Sequence, residues 1–599
     1  MSKGIQKRED IPEGDKWDLP SMYADEADWE KDFSKAGAEA EAYTRFAGKL
    51  GESAAGMLSA FEKKDEIWQL AERVYVYARM RKDEDNRSAR YQAMNDRTHT
   101  LTAGVAARLS FFTPEFLEIP EETIWKYMDE EPGLEKYRRV IRVTLREKAH
   151  ILSKPEEYLL AQLSEVTGAT GDIFSMINDA DMKFGVIAGE DGDEAELTHG
   201  TYSVFMESRD RAVRTAAFTK MYDAYIKQRN TLAATYSYNT KTDVVMARIR
   251  KYPSSLAAAL DGDNIPLSVY DNLIDSVGAR LGTLHRYLEV RRRLLGVEEL
   301  HMYDVYAPLF RREEKPLPYE NALQIMREGL SALGGEYAAA VEQGIRERWI
   351  DVYENEGKTS GAYSFGSYDS KPFIMLNYHG KLKDVFTIAH EMGHSMHSWY
   401  TRRTQPFAYG SHSIFTAEVA STVNESLLMH SLLERTADPQ EKKYLLNLHI
   451  EEFRTTLFRQ TMFAEFEKLT HEAVEGGEVL TADWLSERYM ALNRKYFGEK
   501  MVCDEAIAME WARIPHFYRA FYVYKYATGY SAATAISKLI REGGAPARDA
   551  YIAFLKTGES DDPIELLKIA GVDMSQPGPV EAAMDAFEGL VSELENLEL

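Results

Sequence analysis

Of the 14 histidines in the chain, six (His379, His390, His394, His397, His412 and His430) crowd into one short stretch. Imidazole is the commonest metal-ligating side chain, so such uneven use points to a cation site. Within the stretch stands His390-Glu391-Met392-Gly393-His394, a His-Glu-x-x-His motif. With 14 histidines and 97 acidic residues among 599, the motif arises by chance about 0.05 times in a chain this long, so its presence carries weight. At about 100° per helical residue, four steps bring His394 to within about 40° of His390, and both imidazoles can converge on one cation. Glu391 lies on the flank of His394, where a base for an attacking water belongs. The chemistry implied is metal-assisted hydrolysis with Glu391 as general base.

A catalytic zinc usually takes three protein ligands and keeps one open position. The downstream candidates are His397, His412, Glu418 and Glu425. His397 shares the face of His390 but lies one turn past His394 on the same rod, out of tetrahedral reach. The extended His-Glu-x-x-His-x-x-Gly-x-x-His arrangement fails, because His397 occupies the Gly position and Tyr400 the last His position, which removes the metzincin reading. Glu418 is better placed. The motif follows the apolar helical spacing of Val385 to Ala389, the stretch from Thr401 to Ser413 holds Pro406 and Gly410 and reads as a loop, and helical periodicity resumes from Ile414 to Leu433. A hairpin of two helices would set Glu418 beside His390 and His394. Glu425, seven residues on, shares the face of Glu418 and would accept a hydrogen bond from a ligand histidine.

The rest of the chain must supply a scaffold. Its 19 prolines are few for 599 residues, and long stretches carry apolar residues at helical spacing, so a mainly α fold is expected. Trp29 to Leu109 reads as long antiparallel helices that concentrate no chemical groups, a structural lobe. Met182 to Ile187 is β-like, Ala188 to Asp193 is a turn, and Thr201 to Phe205 completes an expected hairpin. Between Gly357 and Gly380, Ser364 to Tyr368 reads as a flexible loop. Phe373 to Asn377 reads as a short strand whose free edge could take an extended peptide by main-chain pairing. The expected divisions are a helical region over residues 1–110, a subdomain over 111–200 and a catalytic domain over 201–599.

With 72 basic and 97 acidic residues the net charge is −25, which repels phosphodiester backbones and argues against nucleic-acid partners. Cys503 is the sole cysteine, so no internal disulfide can form, and a reducing compartment fits. Residues 1–10 contain no apolar signal region, and no run approaches the ~18 apolar residues of a membrane span. A soluble cytoplasmic protein is expected.

The run from Gly361-Ala362-Tyr363 through Phe373-Ile374-Met375-Leu376-Asn377, the His390 to His394 motif, Phe415-Thr416-Ala417-Glu418-Val419-Ala420-Ser421-Thr422 and the start at Lys16-Trp17-Asp18-Leu19 together resemble the oligoendopeptidase F family, which is related to thimet oligopeptidase. The resemblance covers essentially the whole chain. It implies a large two-lobed helical body enclosing a deep substrate channel, one catalytic Zn2+ per chain, and internal cleavage of short peptides rather than folded proteins. It implies His390, His394 and Glu418 as zinc ligands and Glu391 as the base. It adds His516, within Arg513-Ile514-Pro515-His516-Phe517-Tyr518, and one tyrosine of the segment that follows as donors to substrate and oxyanion. Tyr526 is the choice and Tyr518 the reserve. Without the resemblance this aromatic stripe, continuing through Tyr522, Tyr524 and Tyr530, reads as core packing. Two other readings stand beside the endopeptidase: a carboxydipeptidase, for which Arg311, Arg312 or Arg513 would anchor a terminal carboxylate, and a non-catalytic peptide-binding protein with structural zinc. A structural site usually takes four protein ligands, and only three plausible ones are offered here.

Overall fold

A computed structural model describes residues 5–312 and 315–598. The reading of residues 1–10 as free of a signal region falls partly outside them, at residues 1–4. Helices dominate, as the apolar spacing and sparse prolines require. Among the described residues no helix is long and apolar enough to cross a membrane. Two compact units form, each from separated stretches: Met1–Ala149, Glu314–Ser431 and Ile536–Gly571 in the first, His150–Glu313, Leu432–Ala535 and Val572–Leu599 in the second.

In the first unit the helices Glu26–Tyr43, Ala54–Glu84 and Ala89–Leu109 occupy the stretch expected to form a helical lobe. Asp25, Ser53 and Ser88 cap them by accepting a backbone N–H three residues on, a contribution of about 1 kcal/mol each. Met57, Phe61, Ile67, Val74, Val76 and Met80 are buried along one helix. Phe61 packs against Phe112, Phe116 and Tyr137, so the apolar stripe is consumed in core packing.

A three-stranded sheet lies beside the histidine helix in sequence and packs against it. Phe373–Met375 is its middle strand, parallel to Ile350–Asp351 and antiparallel to Tyr363–Phe365. The expected free edge at residues 373–377 is therefore overturned. Both sides of the strand are hydrogen-bonded, and Phe373, Ile374 and Met375 are wholly buried. The edge strands are Ile350–Asp351 and Tyr363–Phe365, the latter at the start of the segment expected to be a flexible loop.

In the second unit the expected hairpin exists with a different second strand. Val186–Ala188 pairs antiparallel with Glu194–Glu196, while Thr201 to Phe205 lies in the helix His199–Met206. The Thr198 hydroxyl accepts the Thr201 N–H at 3.1 Å and starts that helix, which buries Tyr202, Phe205 and Met206 at helical spacing.

The same unit holds a buried acid. Glu467 is fully buried, its Oε1 accepts the N–H of Phe521 at 2.9 Å, and its Oε2 has no partner among the described residues. Phe521 sits at φ 53°, a left-handed conformation that this bond stabilises. Burial pushes the Glu467 carboxyl well above the ordinary carboxylate range, so the folded state keeps a proton that the unfolded chain releases. Stability then falls as pH rises above about 4.5, by about 1.4 kcal/mol per unit while the proton is retained. Glu467→Gln keeps the acceptor and cannot ionise. Its melting temperature should exceed that of the native chain increasingly from pH 5 to pH 8, and parallel Tm–pH curves would refute the assignment.

Candidate active site

The helix Leu382–Thr404 carries the histidine motif. Its start is fixed by Asp384, whose Oδ2 accepts the N–H groups of His379 and Lys381, each at 2.9 Å. Val385, Ile388, Ala389, Met392 and Met396 form its buried face. The chain leaves it through a short loop with Pro406 and Gly410 and re-enters a helix at Ile414–Arg435, as the sequence periodicity requires.

The two helices touch at the motif itself. A Cβ placed on Gly393 would lie 2.6 Å from the carbonyl oxygen of Ala420 and 2.6 Å from the Cα of Ser421. Only glycine admits this approach, which brings Glu418 across to the histidines. Asn424 locks the pair by donating to the Ala389 carbonyl at 2.9 Å, and Tyr337 donates to Asn424 at 3.0 Å. Gly393→Ala should force the helices apart at a cost of about 1–3 kcal/mol and weaken zinc retention, read by melting temperature and metal analysis. A variant with native Tm and native metal content would show that the contact does not position Glu418.

The group formed is His390, His394 and Glu418. The two Nε2 atoms lie 3.2 Å apart, and Glu418 Oε2 is 3.4 Å from His390 Nε2 and 3.3 Å from His394 Nε2. Ligands at ~2.0–2.1 Å on a tetrahedral zinc stand about 3.3–3.4 Å apart along each edge, so the three donor atoms fit one face of such a tetrahedron. Glu425 Oε2 lies 3.1 Å from His390 Nδ1, the outer acceptor that orients a ligand imidazole, and Ser421 donates to Glu418 Oε2 at 3.0 Å.

Charge favours a cation as well. Burial opposes a charged His390, yet the hydrogen bond and charge of Glu425 raise its pKa to about 9. Burial likewise opposes the Glu418 carboxylate, but the hydrogen bond and charge of His394 hold it down at about 2. Glu391 is 7% exposed, and burial pushes its carboxyl up. Three carboxylates around two imidazoles make a surplus of negative charge, the electrostatic requirement of a metal site.

His397 and His412 line the same cavity, of about 430 Å3, without joining the group. Their ring centroids lie 3.6 Å apart with the planes tilted by 35°, and His412 Nε2 meets Thr401 Oγ1 at 3.0 Å. Burial drives both imidazoles toward the neutral form, His412 down to about 3. Tyr363 and Ser364, in the edge strand Tyr363–Phe365, line the cavity too.

His516 and Tyr526 belong to the second unit. The stripe around them divides. Tyr524 and Tyr530 are buried, with Tyr530 packed on Phe453 at 4.9 Å, and Tyr518 stacks on Phe174 at 4.4 Å. His516, Tyr522 and Tyr526 form a separate, more accessible cluster with ring centroids 5.4 to 6.0 Å apart. Burial, reinforced by Arg519, lowers the His516 pKa and favours neutral imidazole. Sequence reasoning did not single out Tyr522, and a spacing of four to Tyr526 was the available signal. Of the arginines considered as carboxylate anchors, Arg312 is paired with Glu441 at 2.8 Å.

A mainly helical chain that sets a His-Glu-x-x-His helix against a glutamate-bearing helix defines the class of zinc metallopeptidases with a two-histidine, one-glutamate centre. Residues 204–586 match Peptidase family M3, and residues 115–184 match the family described as Oligopeptidase F. The chain is 44% identical over 593 residues to Oligopeptidase PepF of Bacillus subtilis, covering 99% of this chain and 88% of that protein. It is similar to the crystal structure of oligoendopeptidase-F from Enterococcus faecium, at 38% identity and a TM-score of 0.74 over 96% of this chain and 99% of that one. It is also similar to a crystal structure assigned as a peptidase from Chlamydophila abortus, at 35% identity and a TM-score of 0.94 over 99% and 100% of the two chains. The chain belongs to peptidase family M3 and is a zinc-dependent metalloendopeptidase.

Proposed function

We propose that the protein hydrolyses internal bonds of short peptides with one zinc per chain, held by His390, His394 and Glu418, and with Glu391 as general base. The observation that carries the reading is the spacing of the three donor atoms, 3.2 to 3.4 Å, at the edges of a zinc tetrahedron. Zinc, when bound, supplies a Lewis acid that polarises the scissile carbonyl and acidifies water. Glu391 accepts the proton of the attacking water and returns it to the leaving amine. Glu391 lines the same cavity without joining the group of three donor atoms, which suits a base rather than a ligand. The open edge of Tyr363–Phe365 takes the role first expected of the next strand: an extended peptide pairs there through its main chain, which gives affinity with loose sequence preference.

His516 and Tyr526 are assigned as donors to the oxyanion on the family resemblance, and their clustering with Tyr522 outside the core supports a use other than packing. Tyr526→Phe should lower kcat by roughly 10²–10³-fold, about 3 kcal/mol, with little change in KM, and an unchanged kcat would end the assignment. Mass spectrometry of a digested peptide series tests the reaction itself. Internal cleavage supports it, whereas stepwise loss of C-terminal dipeptides would identify a carboxydipeptidase. A cytoplasmic location is proposed on the single, unpaired Cys503.

A further inference from the structure

The second unit contains a cavity of about 210 Å3 faced by three arginines, Arg454, Arg459 and Arg513. That volume equals about seven waters at ~30 Å3 each, enough for a group of amino-acid size. Two of the arginines are paired. Arg454 donates to the Glu451 carboxylate at 3.0 and 2.7 Å. Arg459 donates to Glu510 at 2.6 Å and to the Tyr306 hydroxyl at 2.9 Å.

Arg513 is different. Its guanidinium lies 4.7 Å over the Tyr202 ring and 6.0 Å from that of Tyr222, whose hydroxyl is its hydrogen-bonding neighbour. Among the described residues no carboxylate stands within ion-pair distance of it, although Glu510 is close enough to act on it through charge. Glu207 stands only at the exposed rim. A guanidinium cannot shed its charge, and aromatic faces satisfy its plane while leaving its N–H edge to be met. The partner of matching geometry is a carboxylate, which accepts two parallel N–H bonds. Met206, Phe218 and Met302 supply an apolar wall beside it, suited to an aliphatic body.

We propose that this cavity binds the carboxylate of a small apolar acid of amino-acid size, free or at the end of a peptide, with Arg513 as the anchoring cation. Every lining residue belongs to the second unit and none to the metal group, so the site is distinct in its residues from the zinc centre.

Isothermal titration of the zinc-loaded full chain with N-acetylleucine and with N-acetylleucine amide tests this. The acid should bind saturably and the amide at least tenfold more weakly. Arg513→Gln should weaken the acid at least tenfold. Should that variant not fold, Ser203→Glu carries the same test, because exposed Ser203 lines the cavity and a carboxylate there repels the ligand without touching the arginine pairs. A second titration with acetyl-glycyl-leucine separates the two sources: tighter binding than N-acetylleucine marks a peptide terminus, weaker binding a free acid. Equal affinity for acid and amide, no saturable binding of either acid, or acid binding untouched by both substitutions, as at the zinc, would overturn the proposal.

Discussion

Glu391→Gln is expected to keep its zinc and to lose peptide cleavage by roughly 10²–10⁴-fold, the span of a positioned general base. The substitution is nearly isosteric, and the helix that carries it is held by contacts elsewhere: the buried face of Val385, Ile388 and Met392, the Asp384 cap and the Asn424 lock. The candidate metal group is His390, His394 and Glu418, so on the proposed reading removing a charge at Glu391 leaves the ligand set intact. What the amide cannot do is accept a proton from water and return it to the leaving amine. The expected signature is therefore split: metal content by elemental analysis at the native level, kcat reduced, and KM for a short peptide little changed. Undiminished cleavage would remove Glu391 from the mechanism, and loss of zinc in this variant would move it into the ligand set.

How far the centre could be read from the sequence follows from the range over which each signal acts. The His390–His394 pair and the place of Glu391 depend on one helical turn, and Glu418 and Glu425 depend on a single loop that Pro406 and Gly410 announce. Such short-range patterns survive folding because helix geometry alone enforces them. Gly393 carried a further signal, a glycine between two ligands, whose reason is visible only once Ala420 and Ser421 lie against it. The strand at Phe373–Met375 shows the limit. Its apolar run is the same whether the strand is central or at an edge, and the partner that makes it central, Ile350–Asp351, lies more than twenty residues away. Thr201 to Phe205 shows another: five residues rich in β-branched and aromatic types suit a strand, and the Thr198 cap together with burial at helical spacing overrides that preference. The cavity around Arg513 was beyond reach, because its walls come from segments around residues 202–222, 302–306, 454–459 and 497–513, and no local pattern joins them.

Glu418→Ala is expected to lose zinc outright, and the comparison that gives this meaning is Glu425→Gln. Both glutamates lie on one helix face and both meet His390, yet on opposite nitrogens: Glu418 Oε2 faces Nε2 at 3.4 Å, and Glu425 Oε2 faces Nδ1 at 3.1 Å. Only the first also reaches His394, at 3.3 Å. On the proposed reading Glu418 is a donor to the cation, its carboxyl held down at about 2 beside His394, and Glu425 is the outer acceptor that orients His390. Removing an outer acceptor costs about 10–100-fold in metal affinity, and removing one of three direct ligands should cost more than ~100-fold. Dialysis against a graded series of chelator concentrations separates the two. Glu425→Gln should release zinc at lower chelator concentration than the native chain and recover full activity when zinc is added in excess. Glu418→Ala should be empty before the weakest chelator step and should stay inactive in excess zinc, because the two remaining imidazoles cannot hold the cation in the geometry that Glu391 serves. Full zinc occupancy in Glu418→Ala would exclude Glu418 from the ligand set and leave Glu425, by way of a turned His390, as the residue to examine in its place.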